Sequence, residues 1–149
     1  MSLVIASIDI DAPVQDVWDH IMDPGKMRSW VTIVDRIERI DPGPIRAGFR
    51  MSQSLCLLGV HFKVHWTLEE LDAPRFARWE GRGPARSTAV TENRLSQRGG
   101  RTHFDYRNEF HTPFGPLGAA ASKVIVGGIP EKEANASLRR LRTILEVPG

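Results

Sequence analysis

Residues 60–69 read Val60-His61-Phe62-Lys63-Val64-His65-Trp66-Thr67-Leu68-Glu69, a strict alternation of apolar and polar side chains. Only a strand sends successive side chains to opposite faces, so this segment is half-buried β-sheet with Val60, Phe62, Val64, Trp66 and Leu68 inward. Thr102, Phe104, Tyr106, Asn108 and Phe110 alternate in the same way against His103, Asp105, Arg107 and Glu109. Strands of this kind joined by short turns are antiparallel, and their apolar face needs a second layer to cover it. The candidate cover is the stretch from Ala119 to Val147. It is helical in composition, with Leu138, Leu141, Ile144 and Leu145 on one face and Arg139, Arg140 and Arg142 on the other.

Between these landmarks the remaining elements follow from their boundaries. Leu3–Ile10 is β-branched and apolar, a strand that stops at Asp11-Ala12-Pro13, where a cap and a first-turn proline start a helix. Val14, Val17, Trp18 and Ile21 form its apolar stripe. Asp23-Pro24-Gly25 ends it and begins a second short helical turn through Lys26, Met27 and Trp30. Val31–Ile40 returns to a β pattern, and Asp41-Pro42-Gly43-Pro44 turns the chain into Phe49–Leu57. Gly59, Asp72-Ala73-Pro74, Gly81–Pro84 and Gly99-Gly100 then separate the further strands, including Arg75–Glu80 and Ser87–Leu95, which have no clean alternation. Within the terminal helical stretch, Gly127-Gly128-Ile129-Pro130 is discordant: each interior glycine costs about 1 kcal/mol against alanine and a proline about 3. The stretch predicts a kink or break there, either a fixed bend or, with the Pro113–Gly118 loop, a gate.

The 149 residues fit one domain, 1–149, large enough to bury a core without disulfides or structural metal. Twenty basic against eighteen acidic residues leave a net charge of +2, too balanced to attract a phosphate backbone, so no nucleic-acid partner is expected. The single cysteine, Cys56, excludes an intrachain disulfide and a cysteine-based zinc site; set between Leu55 and Leu57, it is expected to be an inert core residue. No segment has the length of a membrane span and the first residues do not resemble a secretory signal, so no stable membrane insertion and a cytoplasmic location are expected.

The order of elements resembles the START-like, Bet v 1-like superfamily, and within it the polyketide cyclase/dehydrase and lipid-transport (SRPBCC) group. The residues that carry the resemblance are Ile8-Asp9-Ile10-Asp11-Ala12-Pro13-Val14-Gln15-Asp16-Val17-Trp18 and Met22-Asp23-Pro24-Gly25-Lys26-Met27-Arg28-Ser29-Trp30-Val31. Weaker echoes follow at Glu70–Arg75 and Gly99–Phe104. The resemblance implies an α+β helix-grip fold, a curved antiparallel sheet of about six to seven strands around a long C-terminal helix, with two short helices after the first strand. It implies a cavity between sheet and helix for a lipid, fatty acid or polyketide-like aromatic. It carries no shared catalytic motif, and so no catalytic residue and no cofactor.

Individual residues carry their own chemistry. His61 and His65 are four apart, which on a strand leaves them roughly 13 Å from each other, too far to share an ion; a solvated outer face and no metal are expected. No serine lies in a nucleophile-elbow setting and no glycine-rich segment has phosphate-loop spacing. His103 and Asp105 share the face expected in water. The polar groups expected on apolar faces are Gln53, Tyr106 and Asn108, which must bond to protein, water or ligand because an unpaired buried amide or phenol costs about 1–3 kcal/mol. Trp30, Trp66 and Trp79 add apolar surface with an N–H able to orient a ligand oxygen, while Trp18 reads as core. These six residues, Trp30, Gln53, Trp66, Trp79, Tyr106 and Asn108, are the candidate ligand-binding set. The alternatives are a cyclase, dehydratase or isomerase using Tyr106 as proton donor with Gln53 or Asn108 on a carbonyl, and a protein-interaction module docking through the helix bearing Arg139.

Overall fold

A computed structural model describes residues 2–112, 115, 118–119 and 127–146. Seven strands form one antiparallel sheet: β1 (Ser2–Ile10), β2 (Val34–Ile40), β3 (Arg50–Leu57), β4 (Val60–Asp72), β5 (Phe76–Arg82), β6 (Thr88–Arg98) and β7 (Arg101–His111). Their spatial order is β1-β7-β6-β5-β4-β3-β2. The five consecutive strand pairs from β2 to β7 are neighbours in sequence as in space, whereas β1 returns to pair with β7 from Ser2↔Phe110 to Ile10↔Thr102. The expected fold class is therefore the observed one.

Between β1 and β2 run α1 (Val14–Ile21), a 3₁₀ turn at Pro24–Lys26 and α2 (Met27–Trp30). Asp23 caps the turn, its Oδ1 accepting from the Gly25 N–H at 2.9 Å. Of the predicted stripe, Val17, Trp18 and Ile21 are buried and Val14 is half-buried. The helix α3 spans Ile129–Leu145 and starts after Gly128, whose φ of 70° is a left-handed conformation that a side chain would disfavour. Pro130 sits in its first turn, where the missing N–H is not needed. The discordant Gly-Gly-Ile-Pro stretch is thus a turn followed by a helix start. Most of the Pro113–Gly118 loop and the start of the expected helix, 120–126, lie outside the described residues.

α3 packs along β1 and against α2. Leu138 and Leu141, both essentially buried, join Ile10, Val17, Ile21, Leu68, Leu95 and Phe104 in the main core. Thr102 is fully buried beside them and its hydroxyl donates to the Ala12 carbonyl at 2.8 Å, tying the entry of α1 to β7. The β3–β4 hairpin turns on Leu58 and Gly59, with φ of 49° and 78°. Two left-handed residues in a two-residue loop match the twist of the strands they join.

Period-2 alternation corrects one expectation. With Met51, Gln53 and Leu55 directed inward, Cys56 points outward; it is half-buried, with Sγ 3.7 Å from His61 Nε2. The outer face otherwise carries polar pairs, among them Ser52 with His65 at 2.7 Å, and His103 between Asp9 (2.7 Å) and Asp105 (3.1 Å). Among the described residues no group of three histidine, cysteine, aspartate or glutamate side chains is arranged to hold a metal ion.

Candidate functional site: a cavity between sheet and helices

Because α3 lies toward the β1 edge, it covers only part of the concave face. The rest, mainly on β3 to β7, walls a partly open cavity of about 490 Å³ that α2 and α3 also line. That volume is in the range of sites for small organic ligands. Its wall is mostly apolar, with Met27, Met51, Val64, Trp79 and Leu138 among the contributors, and no lysine or arginine lines it among the described residues.

All six candidate residues line this cavity. Gln53 and Trp66 form one polar patch on the β3–β4 wall: the Trp66 indole N–H donates to Gln53 Oε1 at 3.0 Å. An indole nitrogen only donates, which fixes the amide and directs Gln53 Nε2 at two weak acceptors, Met27 Sδ (3.2 Å) and Met51 Sδ (3.9 Å). Trp66 reaches this position because β5 presents Gly81 beneath it; a Cβ there would stand 2.7 Å from two atoms of the indole ring. Trp79 is more deeply buried and meets Phe49 edge-on at 6.5 Å.

The second polar patch lies on β6 and β7. Tyr106 pairs across the strands with Asn93, and Asn108 with Thr91, whose hydroxyl donates to Asn108 Oδ1 at 3.1 Å. Burial pushes the Tyr106 phenol up to about 12, with the Thr91 hydroxyl working against it, so this group stays protonated at neutral pH. Sequence reasoning missed Thr91 and Asn93. Both face inward with Ala89 and Leu95, yet half of that series is polar, and a polar series reads as a solvated face when the cavity behind it is unknown.

Two lining groups lack any hydrogen-bond partner among the described residues. Trp30 Nε1 and Asn93 Oδ1 are both buried, within side chains only 5% and 6% exposed. Trp30 packs edge-on against Phe104 at 6.3 Å. Phe104 lies two residues from Tyr106 on the same face of β7 and pairs with Leu95, while Tyr106 pairs with Asn93.

Charge enters the cavity wall from α3. Glu133 lines it, and its carboxylate accepts from the Thr32 hydroxyl. Ser137 on the next turn donates to the Glu133 carbonyl at 2.9 Å and accepts from the Thr32 N–H at 3.0 Å. This network clamps α3 to the loop after α2. The acid that lines the cavity among the described residues arrives on the helix and not on a strand.

Comparison with known proteins places this geometry. A 24% identical protein of Mycobacterium tuberculosis, named as uncharacterized protein Rv1546, matches over 87% of this chain and 92% of its own length. Among solved structures, the Zhui aromatase/cyclase from Streptomyces sp. R1128 superposes with a TM-score of 0.81 at 15% identity, covering 97% of this chain and 93% of that one. The protein TTHA0849 from Thermus thermophilus superposes at 0.76 with 14% identity, covering 97% of both chains. At such identities these two similarities speak for the fold. The sequence profile of one family matches residues 1–146, and the chain belongs to that family, polyketide cyclase/dehydrase and lipid transport.

Proposed function

We propose that the protein binds an apolar or amphipathic small molecule, of the lipid, fatty acid or polyketide-like aromatic class, in the cavity between the sheet and α3, as a cytoplasmic binding protein. The observation that carries this reading is the cavity itself: about 490 Å³ of mostly apolar wall with two small polar patches. Shape and apolar burial supply affinity, and the patches supply orientation. Gln53, Trp66, Tyr106 and Asn108 orient; Trp30 and Trp79 contribute surface.

The experiment is native mass spectrometry of freshly purified protein, with organic extraction of what is released. A reproducible apolar adduct near one per chain, weakened in Tyr106→Phe or Asn108→Ala, supports the reading. A bare mass, together with no binding from a panel of apolar probes, refutes it.

A second reading is favoured by Tyr106, a half-buried residue whose phenol is held protonated beside a polar patch, and by the aromatase/cyclase neighbour. On it, the protein is a cyclase or dehydratase in which Tyr106 gives a proton to a substrate carbonyl held by Asn108 or Gln53. Turnover lost in Tyr106→Phe with ligand affinity retained supports this reading; unchanged turnover removes Tyr106 from it.

A further inference from the structure

Among the described residues, every non-glycine position with a positive φ lies in one of two neighbouring turns. Leu58 (49°) is in the β3–β4 turn, and Ala85 (51°) and Arg86 (63°) are in the β5–β6 turn. A side chain is disfavoured in that conformation, and the first position of a two-residue hairpin loop is best filled by asparagine, aspartate or glycine. Leu58 is also 65% exposed, and Val60 beside it 48%. This leucine is therefore unfavourable in its turn and gains little from burial, which points to a contact outside the fold.

Both turns border the partly open cavity: Val60, His61 and Phe62 line it from the first, Pro84 and Ser87 from the second. They are neighbours in space, since a Cβ on Gly83 would stand 3.8 Å from the Lys63 carbonyl oxygen. From Lys63 the hairpin runs on for three residues to Val60, projecting roughly 10 Å past the second turn. The charge beside this apolar tip is cationic. Arg82 and Arg86 are exposed and form no ion pair among the described residues, which include all eighteen acids of the sequence. The acids on this side are already engaged, Glu38 by Arg36 and Lys63, and Asp35 by His61.

We propose that these two turns form a peripheral docking surface for an anionic lipid bilayer, with Leu58 and Val60 entering the boundary between headgroups and acyl chains and Arg82 and Arg86 meeting lipid phosphates. A projecting apolar tip suits a deformable apolar layer, and the two arginines suit its negative surface. A symmetric contact with a second copy of the chain would instead bring like charges together. Docking of this kind goes beyond the binding reading and uses residues outside the six assigned to the ligand.

The test is co-sedimentation of the intact protein with vesicles of equal parts phosphatidylglycerol and phosphatidylcholine, or of phosphatidylcholine alone, at about 0.1 M salt. The anionic vesicles should bind at least tenfold more tightly. Arg82→Gln and Arg86→Gln should each weaken that binding about fivefold. Leu58→Asn should weaken it at least fivefold while leaving Tm unchanged or higher, because asparagine suits the turn. A substitution that favours the fold and harms the binding separates docking from folding. No binding to anionic vesicles, equal binding to both kinds, or undiminished binding by Leu58→Asn overturns the docking surface. So does a Tm lowered by more than about 2 °C in Leu58→Asn, since the leucine would then serve the fold. A dimer in sedimentation velocity that Leu58→Asn dissociates assigns the tip to a second copy and also overturns it. The ligand of the cavity is read separately by native mass spectrometry, so either reading can fail alone.

Discussion

Gly81→Ala is the smallest perturbation of the cavity with a large expected effect. The added methyl would lie 2.7 Å from Trp66 Cε3 and Cζ3 and 2.9 Å from Val64 Cγ1, contacts that real Cβ atoms essentially never make. The strand cannot yield easily, because Gly81 is paired on both sides, with Trp66 on β4 and Ala89 on β6. The indole must move, and it donates to Gln53 Oε1 in the half-buried β3–β4 patch. Overpacking of this kind costs about 1–3 kcal/mol, and losing the hydrogen bond adds about 1. The sum, about 2–4 kcal/mol, corresponds to a fall in Tm of roughly 5–15 °C for a chain of this size. Thermal unfolding followed by far-UV circular dichroism measures it, and the same substitution in a Trp66→Ala background should cost no more than half as much. A Tm within 2 °C of the parent, or an undiminished cost in the Trp66→Ala background, would refute the account of Gly81 as the space that seats Trp66.

Other expectations follow from single contacts. Thr102→Val keeps the shape but leaves the Ala12 carbonyl without its 2.8 Å donor in a fully buried position; chemical denaturation should register a loss of about 1–2 kcal/mol. Leu141→Ala empties the fully buried contact of α3 with the core and should cost about 2–5 kcal/mol in the same assay. The Asp9 carboxyl is held below its ordinary 3.8, first by its hydrogen bond with His103. A depressed carboxyl stabilises the fold above its unfolded pKa, and that contribution is lost as pH falls through the folded value. A carboxyl-detected NMR titration should accordingly find the Asp9 midpoint below 3.8 and find it moved back up in His103→Ala.

The sequence disclosed the parts of the fold where one face is packed and the other wet. β4 and β7 announced themselves because Val64, Leu68 and Phe104 are buried while Lys63, Glu69 and Asp105 lie toward solvent. β6 did not, since its inner face bears Thr91 and Asn93 and opens on a cavity, where the pressure for apolar residues is relaxed. Cys56 misled through its neighbours: Leu55 and Leu57 suggested a core, but side chains one apart on a strand cannot share a face. Gln53, Tyr106 and Asn108 could be singled out because they interrupt apolar series. The convergence of Glu133 with Thr32 depends on residues far apart in the chain, and no local pattern encodes it.

The place of β1 at the edge of the sheet has a consequence for the order of assembly. Strands β2 to β7 zip through successive hairpins, each closing a short loop, but Ser2 meets Phe110 only after the whole of the intervening chain has been made. A nascent chain must therefore carry its first strand, with Leu3 and Ile5 exposed even in the finished fold, unpaired until β7 emerges. α3, which packs along β1, is synthesised later still. The cavity is consequently the last part of the molecule to be enclosed, and a chain that stops short of α3 presents the strands' apolar inner face to its surroundings.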